Sequence, residues 1–179
     1  MEDKRKKLTT IITPILLGLF FLVWYIQPKT PLAALENGYM GRKERFVRYT
    51  GLIEQIDINQ RESLLFYFNG NGNVNCAIVE KRIAGYKIVD VNGELPSHHE
   101  ELRAGLFFST YGRGDKWSYF GVIYDDSVVK VVWHDVEATM FRSSNRNIFY
   151  AIGDGEIKFG KYYLYDSNGN ELENHRVTQ

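Results

Sequence analysis

The feature that most constrains this chain is an uncharged apolar segment near its N-terminus. Leu8 to Ile26 reads LTTIITPILLGLFFLVWYI, 19 residues of which 14 are large apolar or aromatic. At about 1.5 Å per residue, an α-helix of this length would be roughly 28 Å long, close to the ~30 Å hydrocarbon core of a bilayer. The sequence therefore predicts a transmembrane anchor over residues 8–27, with residues 1–7 as a short tail.

The charges that flank the apolar segment predict its orientation. Lys4, Arg5, Lys6 and Lys7 precede it, whereas only Lys29 lies close to its other end. By the positive-inside rule, the N-terminal tail is cytoplasmic and everything after the anchor is extracytoplasmic. A cleaved signal peptide is the alternative, but residues 31–34 (PLAA) lack the small-residue spacing of a cleavage site. An uncleaved single-pass anchor in the cell membrane is the expectation.

The remainder of the chain has the size and composition of one extracytoplasmic domain. Residues 30–179 contain 17 Lys and Arg against 20 Asp and Glu, a net charge of −3, and the cations are scattered along the sequence. This pattern argues against binding to nucleic acid or to an anionic membrane surface. The single cysteine, Cys76, excludes an intramolecular disulfide and favours a bacterial envelope over a eukaryotic secreted protein.

The fold class expected for this domain is mainly β. Residues 28–45 contain a short helix over 31–37, with Thr30 as its N-cap, Pro31 at its first position and Gly38 at its end, followed by a linker. Residues 46–179 form an antiparallel β domain, because short runs of aromatic and β-branched residues alternate with turn residues. Strands are predicted at 46–49, 51–58, 64–68, 74–80, 86–91, 106–111, 117–124, 128–133, 136–141, 148–152 and 158–165.

Asn-Gly and related pairs predict the turns between these strands. They occur at 69–72, 92–93, 112–114, 125–126 and 168–169. Ser97 and Glu100 have the spacing of a capping box, which predicts a second short helix over residues 98–103.

An internal similarity raises the hypothesis of two repeated β units. GYKIVDVNGEL at 85–95 resembles KYYLYDSNGNEL at 161–172, with an offset of 70 to 77 residues between the halves. The repeats would cover 46–95 and 117–172 and would give Asp90 and Asp166 equivalent positions before equivalent turns. The alternative is a chance similarity between strand–turn–strand sequences.

Three stretches together resemble a layout found in small single-pass or exported proteins of Gram-positive, Bacillus-type bacteria. They are the P-x-x-A-L helix at residues 31–35, LLFYFNGNGNVNCAIVEKRIAGYKIVDVNGEL at 64–95 and SYFGVIYDDSVVKVVWHDVEATMFRSSNRNIFYAIGDG at 118–155. The resemblance covers residues 31–172 and consists of strands, not reactive side chains. It implies a compartment and a fold, and it assigns no functional residue.

No motif in the sequence has the spacing of a catalytic or metal centre. His98 and His99 are explained by the predicted helix, and His134 by a strand end, so neither a metal nor a cofactor is expected. Cys76 lies in an apolar strand and is expected to be buried and unreactive. A glycosidase-like pair of acids could be drawn from several carboxylates, namely Glu54, Asp57, Glu80, Asp90, Asp125 and Asp126.

The sequence leaves three functions open. The first is a non-catalytic interaction or regulatory module, tethered to the membrane by residues 8–27, that binds another envelope protein. The second is an ectodomain that binds a small ligand or cell-wall glycan, and the third is a glycosidase-like hydrolase. For the first two, Trp117, Tyr119 and Phe120 are the predicted binding residues, since they follow the glycine-rich turn at 112–114.

Overall fold

A computed structural model describes residues 2–39, 48–111, 115–133, 135–143, 146–155 and 161–175. The described residues form two helices, α1 (Glu2–Ile26) and α2 (Pro31–Tyr39), followed by strands only. The strands are β1 (Gly51–Asp57), β2 (Glu62–Phe68), β3 (Val74–Lys81), β4 (Tyr86–Leu95), β5 (Ala104–Tyr111), β6 (Lys116–Ile123), β7 (Lys130–Trp133), β8 (Val136–Glu137), β9 (Thr139–Ser143), β10 (Arg146–Asp154), β11 (Tyr162–Tyr165) and β12 (Glu171–Leu172).

The strands form three four-stranded sheets, and every pairing is antiparallel. Sheet 1 has the order β1-β2-β3-β4, sheet 2 the order β5-β6-β10-β9, and sheet 3 the order β12-β11-β7-β8. The predicted mainly antiparallel β architecture is therefore confirmed. Most predicted strands lie within a few residues of the observed bounds, because strand-forming runs and turn residues alternate regularly.

Sheets 1 and 2 are each buried on both faces. In β2, Leu64 and Phe66 pack toward sheet 2, whereas Leu65 and Tyr67 pack toward α2. In β6, Phe120 and Val122 pack toward sheet 1, while Trp117, Tyr119 and Ile123 pack toward sheet 3. The order of layers is therefore α2, sheet 1, sheet 2 and sheet 3. Strands that are buried on both faces have continuous apolar runs instead of alternating patterns.

Helix α2 closes the outer face of sheet 1. Leu35 and Ala34 are buried against Leu65 and Ala77. At the start of the helix, the Ala33 N–H donates to Thr30 Oγ1 at 3.0 Å, which confirms the predicted N-cap. The helix continues one residue beyond Gly38, to Tyr39.

We expect the Thr30→Ala substitution to lower the free energy of unfolding of the β domain by about 1 kcal/mol, because the first turn of α2 loses a hydrogen-bond acceptor for its free N–H groups. Thr30→Ser is the matched control, since it keeps the hydroxyl and should stay close to the wild type. Urea denaturation followed by circular dichroism measures both. Equal losses in the two variants would mean that the Thr30 methyl group, and not its hydroxyl, matters.

An ion pair joins sheet 1 to sheet 2 at the end where β2 and β6 begin. Lys116 Nζ lies 2.5 Å from Glu62 Oε1, and the Asn59 side chain donates to the same carboxylate at 2.9 Å. Burial alone would raise the pKa of Glu62, but the hydrogen bonds from Lys116 and Asn59 and the charge of Lys116 outweigh it, so the pKa falls below its ordinary 4.5. The hydrogen bond to Glu62 raises the pKa of Lys116 above 10.5.

These shifts predict how the stability depends on pH. Because the pKa of Glu62 is lower in the folded state, its stabilising contribution is present above pH 4.5 and is lost as the pH falls through the folded value. The raised pKa of Lys116 acts oppositely: its contribution is present below pH 10.5 and is lost as the pH rises through the folded value. We therefore expect Glu62→Gln to destabilise the chain at about pH 7, and we expect the difference from the wild type to shrink as the pH falls below 4.5. Urea titrations over this pH range test this, and a constant difference would contradict it.

A predicted helix and a predicted turn are wrong. Residues 98–103 do not form a helix, because the ring nitrogen His99 Nδ1 accepts hydrogen bonds from the backbone N–H groups of Glu101 and Leu102, both at 3.2 Å. Leu102 instead forms an isolated bridge with His175. Asn92-Gly93 does not form a turn, because both residues pair with β3 within the long strand β4.

The predicted equivalence of Asp90 and Asp166 is also wrong. Asp90 lies within β4, where its carboxylate accepts hydrogen bonds from Ser109 at 2.6 Å and Asn92 at 2.9 Å. Asp166 instead caps the turn between β11 and β12, where it accepts backbone hydrogen bonds from Asn168 and Asn170. The two halves also differ in architecture: residues 51–95 form one sheet, whereas the later strands divide between sheets 2 and 3.

Some predicted features lie partly or wholly outside the described residues. They are the start of the strand at 46–49, the turn at 112–114, His134 and the first residues of the strand at 158–165. Arg48 and Tyr49, which are described, are not in a strand.

Candidate functional site

The three predicted binding residues lie in the core of the domain. Trp117, Tyr119 and Phe120 belong to β6 and are 6%, 0% and 3% exposed. Trp117 and Tyr119 face sheet 3, whereas Phe120 faces sheet 1, where its ring lies 5.8 Å from that of Phe66. They lie in a strand, as predicted, but are not exposed to a ligand, and side chains on opposite faces of one strand cannot form a single site.

Tyr119 illustrates the structural role of these aromatic residues. Its hydroxyl donates to the backbone oxygen of Val136 at 2.9 Å, which links sheet 2 to sheet 3. Burial, followed by the charge of Glu137, raises the pKa of Tyr119 to about 12. The hydroxyl is therefore protonated at neutral pH and acts as a buried donor.

The candidate acids have structural hydrogen-bond partners. Asp57 accepts from Ser63 at 2.7 Å, Glu80 pairs with Arg82 at 2.6 Å, and Asp126 accepts from Asn147 at 2.9 Å. Asp125 pairs with Arg103, which also donates to the backbone oxygen of Glu173. These carboxylates hold loops and strand ends in place.

Cys76 is buried between sheets 1 and 2, as the sequence predicted. Burial, with a smaller contribution from the charge of Asp90, raises the pKa of its thiol well above the ordinary value. A thiol in this state is a poor nucleophile. Within the described ranges, no group of three or more His, Cys, Asp or Glu side chains converges in a way that could hold a metal ion.

Helix α1 differs from every other described element because its apolar side chains are not covered. From Ile12 to Ile26 its large hydrophobic residues are between 41% and 84% exposed, on all faces of the helix. Over the described residues, no single helix is both long and apolar enough to cross a membrane, and Ile12–Ile26 meets that test only together with Pro31–Asn37, across a bend of 96°.

The chain that leaves α1 is held against the loop between β3 and β4. The Tyr86 N–H donates to the Pro28 oxygen at 2.8 Å, and Lys29 Nζ donates to the Ala84 oxygen at 2.8 Å. A Cβ atom at Gly85 would lie 2.3 Å from the Pro28 oxygen, so only glycine allows this close approach. Lys29 Nζ also lies 4.9 Å from the centre of the Trp24 ring.

A shallow cleft of about 710 Å³ lies beside this junction. It is lined by Arg61, Glu80, Lys81, Arg82, Ile83 and Ala84. Ile83 is 90% exposed, more than any other large hydrophobic residue described in the β domain. We call this surface the basic cleft.

A second surface lies on the outer side of sheet 3, opposite to its packing against sheet 2. Tyr163 pairs with Val132, and Tyr165 pairs with Lys130, so their side chains share one face with neighbouring Val129. Val129 and Tyr163 are 48% and 40% exposed. A cleft of about 520 Å³ is bordered there by Tyr165, Asp166, Ser167 and other residues of this face. We call this surface the sheet 3 face.

Comparisons with known proteins do not add to these observations: no protein-family model, curated protein or solved structure matches the chain.

The sequence did not reveal either surface. Arg61 and Lys81 are 20 residues apart and become neighbours only because β2 pairs with β3, where the Lys81 N–H donates to the Arg61 oxygen. The isolated Ile83 in KRIAG was a usable signal, because a single isoleucine between two basic residues and Ala84-Gly85 belongs to no apolar strand pattern.

Proposed function

We propose that this protein is a single-pass, membrane-anchored module whose β domain acts outside the cytoplasm as a non-catalytic interaction or regulatory domain. The observation that carries the proposal is the uncovered apolar surface of α1, while α2 and the three sheets complete their own cores without it. A helix that is hydrophobic on all faces is stable only inside a large protein core or in lipid. In the sequence, the 19 uncharged residues at 8–26 and the cations at residues 4–7 favour a segment that spans a bilayer with its N-terminus inside.

The structure of α2 bears on how the chain would leave the membrane. Leu35 and Ala34 are buried on sheet 1, so α2 belongs to the β domain and is unavailable to lipid on that side. The bend near Gln27 to Thr30 therefore lies between the proposed anchor and the folded domain.

Membrane insertion is tested with the full chain expressed in cells. A Leu19→Arg variant should shift the protein from the membrane fraction to the soluble fraction after alkaline extraction, because an arginine at the centre of a span costs about 2.5–3.5 kcal/mol on the insertion scale. Leu52→Arg, at an exposed position of β1, is the matched control and should remain in the membrane fraction. Wild-type protein that is extracted completely would overturn the proposed anchor.

Topology is tested by a reporter fused after Gln179. A reporter that is active only outside the cytoplasm should work, and one that is active only inside should not. The opposite result would place the β domain in the cytoplasm and would remove the extracytoplasmic part of the proposal.

For the interaction role, we propose that the sheet 3 face contacts a partner protein of the envelope. Its exposed Tyr163 and Val129 provide apolar area, and Lys130 and Glu137 at its edge form an ion pair at 2.8 Å. Tyrosine beside aliphatic residues with a polar rim is the composition typical of binding interfaces.

A photoreactive phenylalanine at position 163 tests this contact in native membranes, with the same residue at position 52 of β1 as control. A defined adduct from position 163 that is absent from position 52 is the expected result. If both positions give the same adducts, or position 163 gives none, the sheet 3 face is not the partner surface.

A glycan-binding role is the second candidate, and the cleft on the sheet 3 face favours it. Aromatic Tyr165 lies there beside polar Asp166, Ser167 and Lys130, a combination that suits a sugar with apolar and hydroxyl faces. Co-sedimentation of the full chain with purified cell wall distinguishes the two roles. Sedimentation that is lost in a Tyr165→Ala variant would favour the glycan, and no sedimentation would exclude it.

A further inference from the structure

We propose that the β3–β4 loop, residues 82–85, is a second membrane contact that docks the basic cleft onto the anionic surface of the bilayer entered by α1. Ile83 would insert among the lipid headgroups, and Arg61, Lys81 and Arg82 would face lipid phosphates. This inference rests on the proposed function, because the loop reaches a bilayer only when α1 is anchored in it.

The first argument is the position of the loop. Residues 84–86 contact Pro28 and Lys29 directly, through the two hydrogen bonds of 2.8 Å described above. Pro28 lies two residues beyond the end of α1, and Trp24 and Tyr25, side chains that favour the membrane interface, lie in its last turn. A span that ends at Ile26 therefore places the loop at the depth of the headgroups.

The second argument is the chemistry of the loop. Ile83 is 90% exposed at the tip of a hairpin, where it contributes little to the core of the domain. Exposed apolar side chains flanked by basic residues are typical of segments that lie in the membrane interface. Of the residues that line the basic cleft, only Glu80 is acidic, and it is already paired with Arg82 at 2.6 Å.

The third argument is the local sign of charge. Residues 30–179 carry a net charge of −3, yet the lining of the basic cleft has three cations and one acid, and Lys29 lies next to it. The fold thus concentrates positive charge at the side of the domain where the chain leaves α1. Attraction to anionic lipids acts within about one Debye length of the surface, which suits a loop held directly at the membrane.

The test uses the full chain in liposomes of phosphatidylglycerol and phosphatidylcholine. A cysteine replaces Ile83, Leu19 or Val129 in separate variants and carries an environment-sensitive fluorophore, while the native Cys76 is buried and does not label in the folded protein. Lipids spin-labelled near the headgroup should quench the probe at position 83 but not at position 129. Lipids spin-labelled near the end of the acyl chain should quench the probe at position 19.

The outcomes separate the two proposals. Quenching at position 19 without quenching at position 83 would overturn the docking of the loop and leave the anchor intact. Absence of quenching at position 19 would overturn the anchor, and the docking proposal with it. Equal quenching of the probes at positions 83 and 129 by the headgroup label would mean that the domain adsorbs to the bilayer without a preferred face. That result would also overturn the proposal.

A separate experiment tests whether docking requires the positive charges of the basic cleft. In the Ile83→Cys background, neutralising Arg61, Lys81 or Arg82 with glutamine should lower the ratio of docked to undocked loop about fivefold per cation. Lys161→Gln, at an exposed position beside sheet 3, is the matched control and should have no effect. Undiminished quenching in pure phosphatidylcholine would show that anionic lipid is not the ligand.

Discussion

Replacing Phe66 with alanine should destabilise the β domain by about 3–5 kcal/mol, the range measured when large aromatic residues are truncated in a packed core. Phe66 is 0% exposed at the centre of the layer between sheets 1 and 2. Its ring centre lies 5.8 Å from that of Phe120, 5.3 Å from Phe141 and 6.0 Å from Tyr150. No backbone movement in one sheet can close the resulting cavity without disturbing the other.

Denaturation of the full chain in mild detergent, followed by the fluorescence of the buried tryptophans, measures this loss. Tyr163→Ala is the matched control, because it also removes an aromatic ring, but from an exposed position of sheet 3. We expect the control to change stability by no more than about 0.5 kcal/mol. A loss below about 1 kcal/mol for Phe66→Ala would mean that sheets 1 and 2 do not share a core.

Gly121→Ala should also destabilise the domain strongly, by about 3 kcal/mol, at the upper end of the usual cost of overpacking. A Cβ atom at position 121 would lie 2.0 Å from Phe149 Cζ and 2.2 Å from the Gly105 oxygen. The oxygen belongs to the backbone of β5, which is paired with β6 along its whole length. Relief of the clash therefore requires the separation of the edge strand β5 from its neighbour β6 in sheet 2.

Gly51→Ala is the matched control for this prediction. Gly51 begins the edge strand β1, and an added Cβ would meet nothing within 4 Å. Alanine there should be neutral or slightly stabilising, since it reduces the freedom of the unfolded chain. Thermal melting of both variants gives the comparison, and similar melting temperatures for the two would contradict the close packing at Gly121.

The strands could be predicted because their signals are local. Residues such as Val74 to Glu80 carry the composition of a strand themselves, and Asn69 to Gly72 carry the composition of a turn. The turn is held as its residues predict: the side-chain oxygen of Asn69 accepts from the N–H groups of Asn71 and Asn73, at 2.9 and 3.0 Å. These hydrogen bonds are local, so the turn needs no contact with a distant part of the chain.

The prediction of a turn at Asn92-Gly93 is wrong because tertiary contacts override the local preference of these residues. Asn92 is buried and donates to Asp90, and Gly93 lies so close to Asn75 that an added Cβ would be 2.5 Å from its side chain. The register with β3 shifts between Val74 and Asn75, and Glu94 has a φ of 71°. The pair therefore marks a bulge in a continuous strand, which a sequence does not distinguish from a turn.

The burial of the three predicted binding residues could not be predicted for a related reason. A strand with water on one face alternates, and its exposed aromatic residues can be read from that alternation. In β6 both faces are buried, and even the polar Ser118 between Trp117 and Tyr119 is buried, so the sequence of this strand does not indicate an outer face. The position of sheet 3 over sheet 2 decides this, and it depends on strands that are distant in sequence.

The buried position of Cys76 has a practical consequence. Because the chain has a single cysteine and its thiol is enclosed between sheets 1 and 2, a thiol reagent can reach it only when those sheets separate. The rate at which a thiol reagent alkylates Cys76 in intact cells therefore reports how often the domain opens, without an engineered label. Cys76 is thus an intrinsic probe of unfolding, and any partner that binds the closed form of the domain will slow the alkylation of its thiol.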